Sequence, residues 1–316
     1  MRQSENSHAP LTGRRPVALS AAVALSAVLL AGCGSRSAHG PAASAGGAPC
    51  GAPIATAAAG SVESDGLAQD GVRIVSVGRT CVEYEVTNQG GERSDVTVEF
   101  ARRSATGAAL DRLTATVTGL APGATERKRT ELAGGGPHRP GAAPRVGIAR
   151  VRSVPSAEAP QPGGPCPASG LRLYADQGDA AMGLRVVGLV LRNCGTSPVT
   201  LDGYPQLELL DLRHRPVEGV AILPGGSQIA TGTGADAPPQ RIELRPGEGA
   251  HATLVWRNTT EAGEPVNVPY VRVRATAQAA PVMVTPELDL GTTGRLGVGA
   301  WAPDDGTEPV PSRPAG

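Results

Sequence analysis

The five cysteines are the residues of this chain with the most distinctive chemistry, and Cys33 stands apart from the other four. It follows Leu30-Ala31-Gly32 at the end of an apolar run over residues 17–30, which Arg14 and Arg15 precede. A charged start, a short apolar stretch and small residues before a cleavage point are typical of an export signal. The run is too short for a membrane span, which needs about 20 apolar residues. We therefore expect residues 1–32 to direct export.

The segment Leu30-Ala31-Gly32-Cys33 resembles the lipobox of bacterial lipoproteins. The resemblance implies that the signal peptide is removed before Cys33 and that the Cys33 sulfur carries a diacylglycerol. Two acyl chains anchor a protein durably, whereas one chain binds only marginally. The expected location is the extracytoplasmic face of the cell membrane, with the membrane as a partner through the lipid on Cys33. An ordinary secretory signal with a chance cysteine is the alternative, and the export route stays open.

The other four cysteines are Cys50, Cys81, Cys166 and Cys194, an even number in an exported and oxidising setting. Three pairings are possible. We predict Cys50–Cys81 and Cys166–Cys194, because each bridge then stays inside one predicted domain. Four reduced, buried thiols are the alternative, and the export signal argues against them.

Charge and composition exclude some classes of partner. The chain has 29 basic and 29 acidic side chains, so no global field favours nucleic acid. Two Trp, four Tyr and one Phe are too few for an aromatic platform that stacks bases or sugars. The remaining partner class is an envelope protein or a cell-wall component of unknown identity.

Other residues with possible chemistry favour structural roles. His138, His214 and His251 lack the spacing of a metal motif, and the residues around Ser227 do not complete the serine-hydrolase elbow. The Gly-rich stretch 223–234 has no P-loop lysine. We predict no catalytic residue, no cofactor and no metal.

Two further clusters have a simple surface interpretation. Asp176-Gln177-Gly178-Asp179 could offer oxygens to Ca²⁺, but it favours a surface turn. Arg127-Lys128-Arg129 favours a solvated strand face over a site for polyanions. Trp256, Tyr204 and Trp301 could line a ligand groove, but a core with so few aromatics is expected to take them up.

The elements that must position these residues are predicted to be strands. Apolar side chains alternate with polar ones over 82–87, 95–100 and 113–117, and again over 206–212. This period of two puts one face on a core and one in water, as in antiparallel sheets. Further strands are predicted over 72–77, 146–154, 184–192, 250–256 and 271–275. The fold class is all-β, with two Ig-like antiparallel β-sandwich domains.

Low-complexity stretches set the predicted domain boundaries. Residues 34–49 consist mainly of Gly, Ala, Ser and Pro and form a flexible tether, and 155–165 is a Pro-rich linker. The predicted order is signal peptide 1–32, lipidated tether 33–49, Ig-like domain 50–154, linker 155–165, second β-sandwich 166–301 and disordered tail 302–316.

A weak internal echo relates the two predicted domains. Asn88-Gln89-Gly90 resembles Asn193-Cys194-Gly195, and Leu120-Ala121-Pro122-Gly123 resembles Leu244-Arg245-Pro246-Gly247. The L-x-P-G pattern is typical of a tight turn, because proline fixes φ and glycine accepts a positive φ. The echo indicates either two sandwiches of similar topology or convergent turns.

Two regions also resemble known families. Residues 71–132 resemble small Ig-like domains of bacterial envelope proteins. Residues 166–301 resemble an actinobacterial secreted domain of unknown function, which implies a β-sandwich with no assigned catalysis. The resemblance rests on the segments Ala181-Met182-Gly183-Leu184-Arg185, Asn193-Cys194-Gly195, Gly203-Tyr204-Pro205, Trp256-Arg257-Asn258 and Asp289-Leu290-Gly291-Thr292-Thr293-Gly294-Arg295-Leu296.

These observations favour a non-enzymatic envelope lipoprotein that displays two β-sandwich modules for binding or structural support. The alternative is an enzyme or metal-dependent protein whose site forms only in the fold. Three or more titratable side chains converging in one concave pocket would favour the alternative, and a flat polar surface would favour display.

Overall fold

The computed structural model describes residues 50–51, 66–78, 80–104, 107–132 and 145–304, all of which belong to one compact unit. Over these residues it contains strands and no helix, which confirms the all-β sandwich class. The same described ranges therefore hold no helix long and apolar enough to cross a membrane. The predictions for the signal peptide, Cys33 and the tether lie outside the described residues.

Twenty-one strands are found in the described part of the chain. They are β1 Ala68–Gln69, β2 Val72–Val77, β3 Cys81–Thr87, β4 Ser94–Arg103, β5 Ala109–Leu120, β6 Thr125–Glu131, β7 Arg145–Pro155, β8 Leu171–Ala175, β9 Asp179–Ala181, β10 Leu184–Asn193, β11 Val199–Asp202, β12 Gln206–Leu210, β13 Ala221–Pro224, β14 Arg241–Leu244, β15 Gly249–Arg257, β16 Asn267–Val268, β17 Tyr270–Arg274, β18 Val282–Val284, β19 Leu288–Asp289, β20 Arg295–Val298 and β21 Ala302–Pro303.

The first sandwich packs the sheet β1-β2-β3-β6 against the sheet β5-β4-β7. The alternation in the sequence predicts its core correctly, because Tyr84 and Val86 of β3 and Val98 and Phe100 of β4 are all buried. The Tyr84 and Phe100 rings meet edge to face with their centroids 5.0 Å apart. This geometry is a favoured one for aromatic pairs.

The second sandwich is built around a seven-stranded sheet with the central order β13-β20-β15-β10-β8, to which β9 and β21 add at the sides. β10 and β15 pair along nine residues, from Leu184 opposite Arg257 to Arg192 opposite Gly249. Its pairings are antiparallel except for the parallel pair β13 and β20. Smaller sheets of β11-β14, β12-β17-β18 and β16-β19 complete the second core.

The two sandwiches contact each other through a small apolar cluster and several polar contacts. Val154 at the end of β7 packs with Leu210, Tyr270 and Met283 of the second sandwich, and Ala159 joins them from the 155–165 segment. The Met283 amide donates to the Glu158 carbonyl at 2.8 Å. The segment predicted as a linker therefore contributes side chains and backbone to the contact.

The internal echo corresponds to the same hydrogen-bonded turn in both sandwiches. The buried Asn88 side-chain amide donates to the Leu120 carbonyl at 2.8 Å, and that of Asn193 donates to the Leu244 carbonyl at 2.9 Å. The backbone carbonyl of each asparagine then accepts from the backbone amide of the glycine in the L-x-P-G turn, Gly123 at 2.9 Å or Gly247 at 2.7 Å. Both glycines have a positive φ, as the turn requires.

Both predicted disulfides are present. Cys50 bonds to Cys81 and Cys166 bonds to Cys194, each pair with a Cα–Cα distance of 5.7 Å. Cys81 lies in β3 and Cys194 directly follows β10, so each bridge ties the segment before a sandwich to its sheet. Gly78 allows the Cys50 backbone to approach, because a Cβ at that position would overlap the Cys50 carbonyl oxygen.

Strand β12 ends two residues before its predicted end. The apolar alternation predicts a strand over 206–212, but β12 ends at Leu210. The Asp211 carboxylate accepts hydrogen bonds from the backbone amides of Arg213 and Arg215, at 2.8 and 2.9 Å, and so folds the chain into a turn. Leu212 is left 63% exposed.

Candidate functional site

A cleft with a volume of about 970 Å³ lies between the two sandwiches. Arg150 and Arg152 of β7 line it from the first sandwich. The opposite side consists of β9, the turn after β12 and the segments around β16 and β19. Five arginines and four carboxylates line the cleft, so its surface is strongly charged. Residues of both sandwiches contribute to it. The arginines are Arg150, Arg152, Arg185, Arg213 and Arg215, and the carboxylates are Asp179, Asp211, Glu287 and Asp289.

Asp289 joins three of the sequence motifs at the base of the cleft. Its carboxylate accepts from the Trp256 indole at 2.7 Å and from the Asn258 side-chain amide at 3.0 Å. The Arg185 guanidinium lies 3.7 Å from the same carboxylate. The pairing of the strands positions these residues. Arg185 of β10 lies directly opposite Trp256 of β15, and Asp289 of β19 lies opposite Asn267 of β16.

A hairpin beside this cluster projects into solvent. β9 and β10 are joined by the two-residue turn Met182-Gly183, in which both residues have a positive φ, 45° and 80°. This is the pattern of a type I′ turn. The Asn258 backbone amide donates to the Gly183 carbonyl at 2.9 Å and braces the turn. Met182 at its tip is 98% exposed.

The turn after β12 forms the rim of the cleft. The backbone amide and the side chain of Arg215, together with the Arg213 amide, hold the pKa of Asp211 down at about 2. The Arg215 guanidinium donates two hydrogen bonds to one Asp211 oxygen, at 3.0 and 2.7 Å. Asp211 is therefore ionised at neutral pH and serves to shape the rim.

The opposite wall is fixed by an ion pair between the sandwiches. Arg152 donates from Nε and Nη2 to the two oxygens of Glu287, at 2.5 and 2.6 Å. Its guanidinium also lies 5.8 Å from the Tyr270 ring centroid, within cation–π range. The Ser153 amide donates to the Tyr270 hydroxyl at 3.1 Å, and the His214 ring meets Tyr270 edge-on at 4.5 Å. Burial raises the pKa of Tyr270, so its hydroxyl stays protonated.

The candidate residues that the sequence analysis considered do not come together in one site among the described residues. Cys33 and His138 lie outside the described residues. His214 contacts Tyr270 as described above, and His251 is exposed on β15. The described ranges contain no group of three or more His, Cys, Asp or Glu suited to a metal. Trp256 and Trp301 are buried, which agrees with the core interpretation, whereas Tyr204 is only half-buried. Trp256 also lines the base of the cleft.

The two sequence clusters with a predicted surface role, residues 176–179 and 127–129, form local contacts. The Asp176 carboxylate accepts from the amides of Gly178 and Gly188, at 2.9 and 2.8 Å, so the predicted turn is present. The basic run is matched by neighbouring acids, since Arg127 pairs with Glu83 at 2.8 Å and Lys128 with Glu126 at 2.6 Å.

Sequence reasoning missed Asp289 and the Arg152–Glu287 pair. Asp289 could have been found, because it belongs to one of the motifs that carry the family resemblance. Arg152 and Glu287 are 135 residues apart in sequence, and neither stands in a motif.

Comparison with known proteins gives one family match. Residues 166–302 match the domain of unknown function DUF4232, in agreement with the resemblance over 166–301. No curated protein matches the chain. A solved structure, the crystal structure of red sea bream transglutaminase, is similar to 76% of this chain at 12% identity and a TM-score of 0.17, and the match covers 32% of that protein. So low a TM-score carries no argument about fold or activity.

Proposed function

We propose that this chain is an envelope lipoprotein, anchored to the extracytoplasmic face of the membrane by a lipid on Cys33, that presents its two sandwiches for binding or structural support. The observation that carries the proposal is the pair of disulfides, which follow a sequence segment that resembles an export signal and ends in Leu-Ala-Gly-Cys. Disulfides persist in oxidising compartments outside the cytoplasm. A lipid on Cys33 would keep the exported domains at the cell surface.

The cleft supports binding as the role of the displayed domains. Three of its carboxylates, Asp211, Glu287 and Asp289, already accept hydrogen bonds from arginine, indole or amide groups. A general acid or base instead needs a group that exchanges its proton near the working pH. The Asp211 pKa of about 2 is far from that range.

An enzyme remains the second candidate, and the same cleft is the observation that favours it. Four carboxylates line one concave pocket, which meets the criterion of three or more titratable side chains for a site that forms only in the fold. The test is the fate of a captured ligand. If crosslinking and pull-down of the anchored protein recover a partner that is chemically unchanged after prolonged incubation, binding is supported, whereas recovery of a converted product supports the enzyme.

The anchor is tested with Cys33→Ser in the full chain. We expect this variant to lose labelled fatty acid and to leave the membrane fraction or remain as an uncleaved precursor. Ser44→Ala, in the predicted tether, is the control and should fractionate as the wild type does. If Cys33→Ser migrates and fractionates identically to the wild type, the lipoprotein proposal is wrong.

A further inference from the structure

Among the described residues, the strand β9 has a single partner, β10, and its other edge lies unpaired inside the cleft. All three of its residues are exposed. Ala181 and Leu184 flank a two-residue turn and therefore form the hydrogen-bonded pair that closes the hairpin. The next pair, Ala180 opposite Arg185, is then non-hydrogen-bonded, so the N–H and C=O of Ala180 point away from β10. Ala180 lines the cleft, where these groups could pair with another strand.

One arginine of the cleft has no acidic partner within the part of the chain that the structure describes. Arg213 is exposed, and among the described residues no side chain or carbonyl accepts from its guanidinium. The carboxylates of Asp211, Glu287 and Asp289 are already engaged by other donors. Arg213 is therefore free to bind a carboxylate that a ligand brings, and arginine suits this task because its N–H groups match the two carboxylate oxygens.

The residues beside these groups favour a peptide over a simple ion. Leu212, next to Arg213, is 63% exposed and offers an apolar contact at the rim. Asp179 of β9 has no partner among the described residues and can accept a hydrogen bond from a donor side chain. A carboxylate site, an apolar contact, an acceptor and a free strand edge together match the alternating side chains and the backbone of an extended chain.

We propose that the cleft binds an extended peptide segment of a partner protein, which pairs with the outer edge of β9 and places an acidic side chain against Arg213. The proposal deepens the binding role proposed above, but it does not depend on the lipid anchor. Backbone hydrogen bonds to β9 would supply affinity, and Arg213 and Leu212 would supply specificity. The cleft volume of about 970 Å³ is at the upper end of the range for ligand sites, in keeping with a segment of several residues.

The test uses the full chain and two blocked peptides, one of alternating threonine and glutamate and one with lysine in place of glutamate. Calorimetry measures affinity, and NMR follows the Ala180 amide. We expect the glutamate peptide to bind at least tenfold more tightly than the lysine peptide and to shift the Ala180 signal. Equal affinity for the two peptides, or no binding of either, would overturn the proposal. Tighter binding of polyphosphate without an Ala180 shift would overturn it in favour of a polyanion site.

Matched variants test separately the two parts of the site, which are Arg213 and the outer edge of β9. Arg213→Glu should weaken the glutamate peptide at least tenfold, whereas Arg241→Glu, at an exposed arginine outside the cleft, should change its affinity less than twofold. Ala180→Pro removes the outward N–H and should weaken binding at least tenfold, while Ala180→Val keeps the N–H and should bind normally. Equal effects of Arg213→Glu and Arg241→Glu would contradict the proposal. All these measurements are independent of whether Cys33 is lipidated.

Discussion

Two asparagines, Asn88 and Asn193, act as equivalent structural residues in the two sandwiches. Each is almost fully buried, with 2% and 1% exposure, and each satisfies backbone groups on both sides of a turn. The Asn193 side chain donates to the carbonyls of Ser197 and Leu244 and accepts from the Gly195 amide. Buried carbonyls that lose their donor keep the full cost of leaving water. The asparagines therefore hold the L-x-P-G turns against their sheets.

Asn193→Ala should destabilise the protein by about 2–3 kcal/mol, because two backbone carbonyls lose their donors and one of them is buried. Urea denaturation followed by circular dichroism measures the loss. Asn267→Ala is the control, since Asn267 is exposed on β16 and its side chain makes no hydrogen bond among the described residues. If Asn193→Ala lowers the free energy of unfolding no more than Asn267→Ala does, the turn is stable without the asparagine side chain.

At the scale of the elements, the sequence pattern predicts nine of the twenty-one strands in the described part of the chain, several of them closely. Strand β2 has the predicted bounds, and β10 and β15 differ from their predictions by a residue at one or both ends. The period-two pattern is a local signal of a half-buried strand, which is why it works here. It fails where a polar side chain redirects the backbone, as Asp211 does at the end of β12.

The first central residue of the β9–β10 turn is of a type that disfavours the backbone conformation found there. Type I′ turns prefer Asn, Asp or Gly at the first central position, where φ is positive. Met182 has a φ of 45° there, and at 98% exposure it gains no packing in return. Residues kept in such conformations cluster at functional sites. The tip lies beside the cleft cluster of Asn258 and Asp289.

Met182→Asn should stabilise the protein by about 1 kcal/mol, because Asn accepts the left-handed conformation more readily. The midpoint of urea denaturation should rise without a change in the slope, which reports the surface exposed on unfolding. Leu110→Asn is the control, since Leu110 is also exposed, at 53%, but lies within β5 without a positive φ. Equal midpoint shifts for the two variants would mean that the turn conformation is not the cause.

At the scale of the whole molecule, sequence reasoning predicts two sandwiches but not how they meet. The disulfides could be predicted, since each keeps within one sandwich and closes a loop of 31 or 28 residues. The contact between the sandwiches has no local pattern, because it joins Arg152 to Glu287 across 135 residues. The cleft can therefore be predicted only in part. Its Asp289 cluster follows from motifs within one domain, but its second wall exists only once β7 meets the second sandwich.

The Arg152–Glu287 pair should hold the cleft in its shape, and Arg152→Ala tests this. The variant loses two charge-assisted hydrogen bonds and the contact with the Tyr270 ring. We expect the amides of Ser153 and Met283 to exchange hydrogen about tenfold faster, which corresponds to about 1.4 kcal/mol, because both donate to groups across the contact.

Arg102→Ala is the matched control for this experiment. Arg102 also donates two hydrogen bonds to a carboxylate, that of Asp111 at 2.8 and 2.5 Å, but the pair lies inside the first sandwich. Its loss should leave the exchange of the Ser153 and Met283 amides unchanged, since neither ion-pair partner reaches the second sandwich. Equal acceleration by both variants would mean that the first sandwich loosens as a whole. No acceleration by Arg152→Ala would mean that the apolar cluster of Val154, Leu210, Tyr270 and Met283 suffices to hold the two walls together.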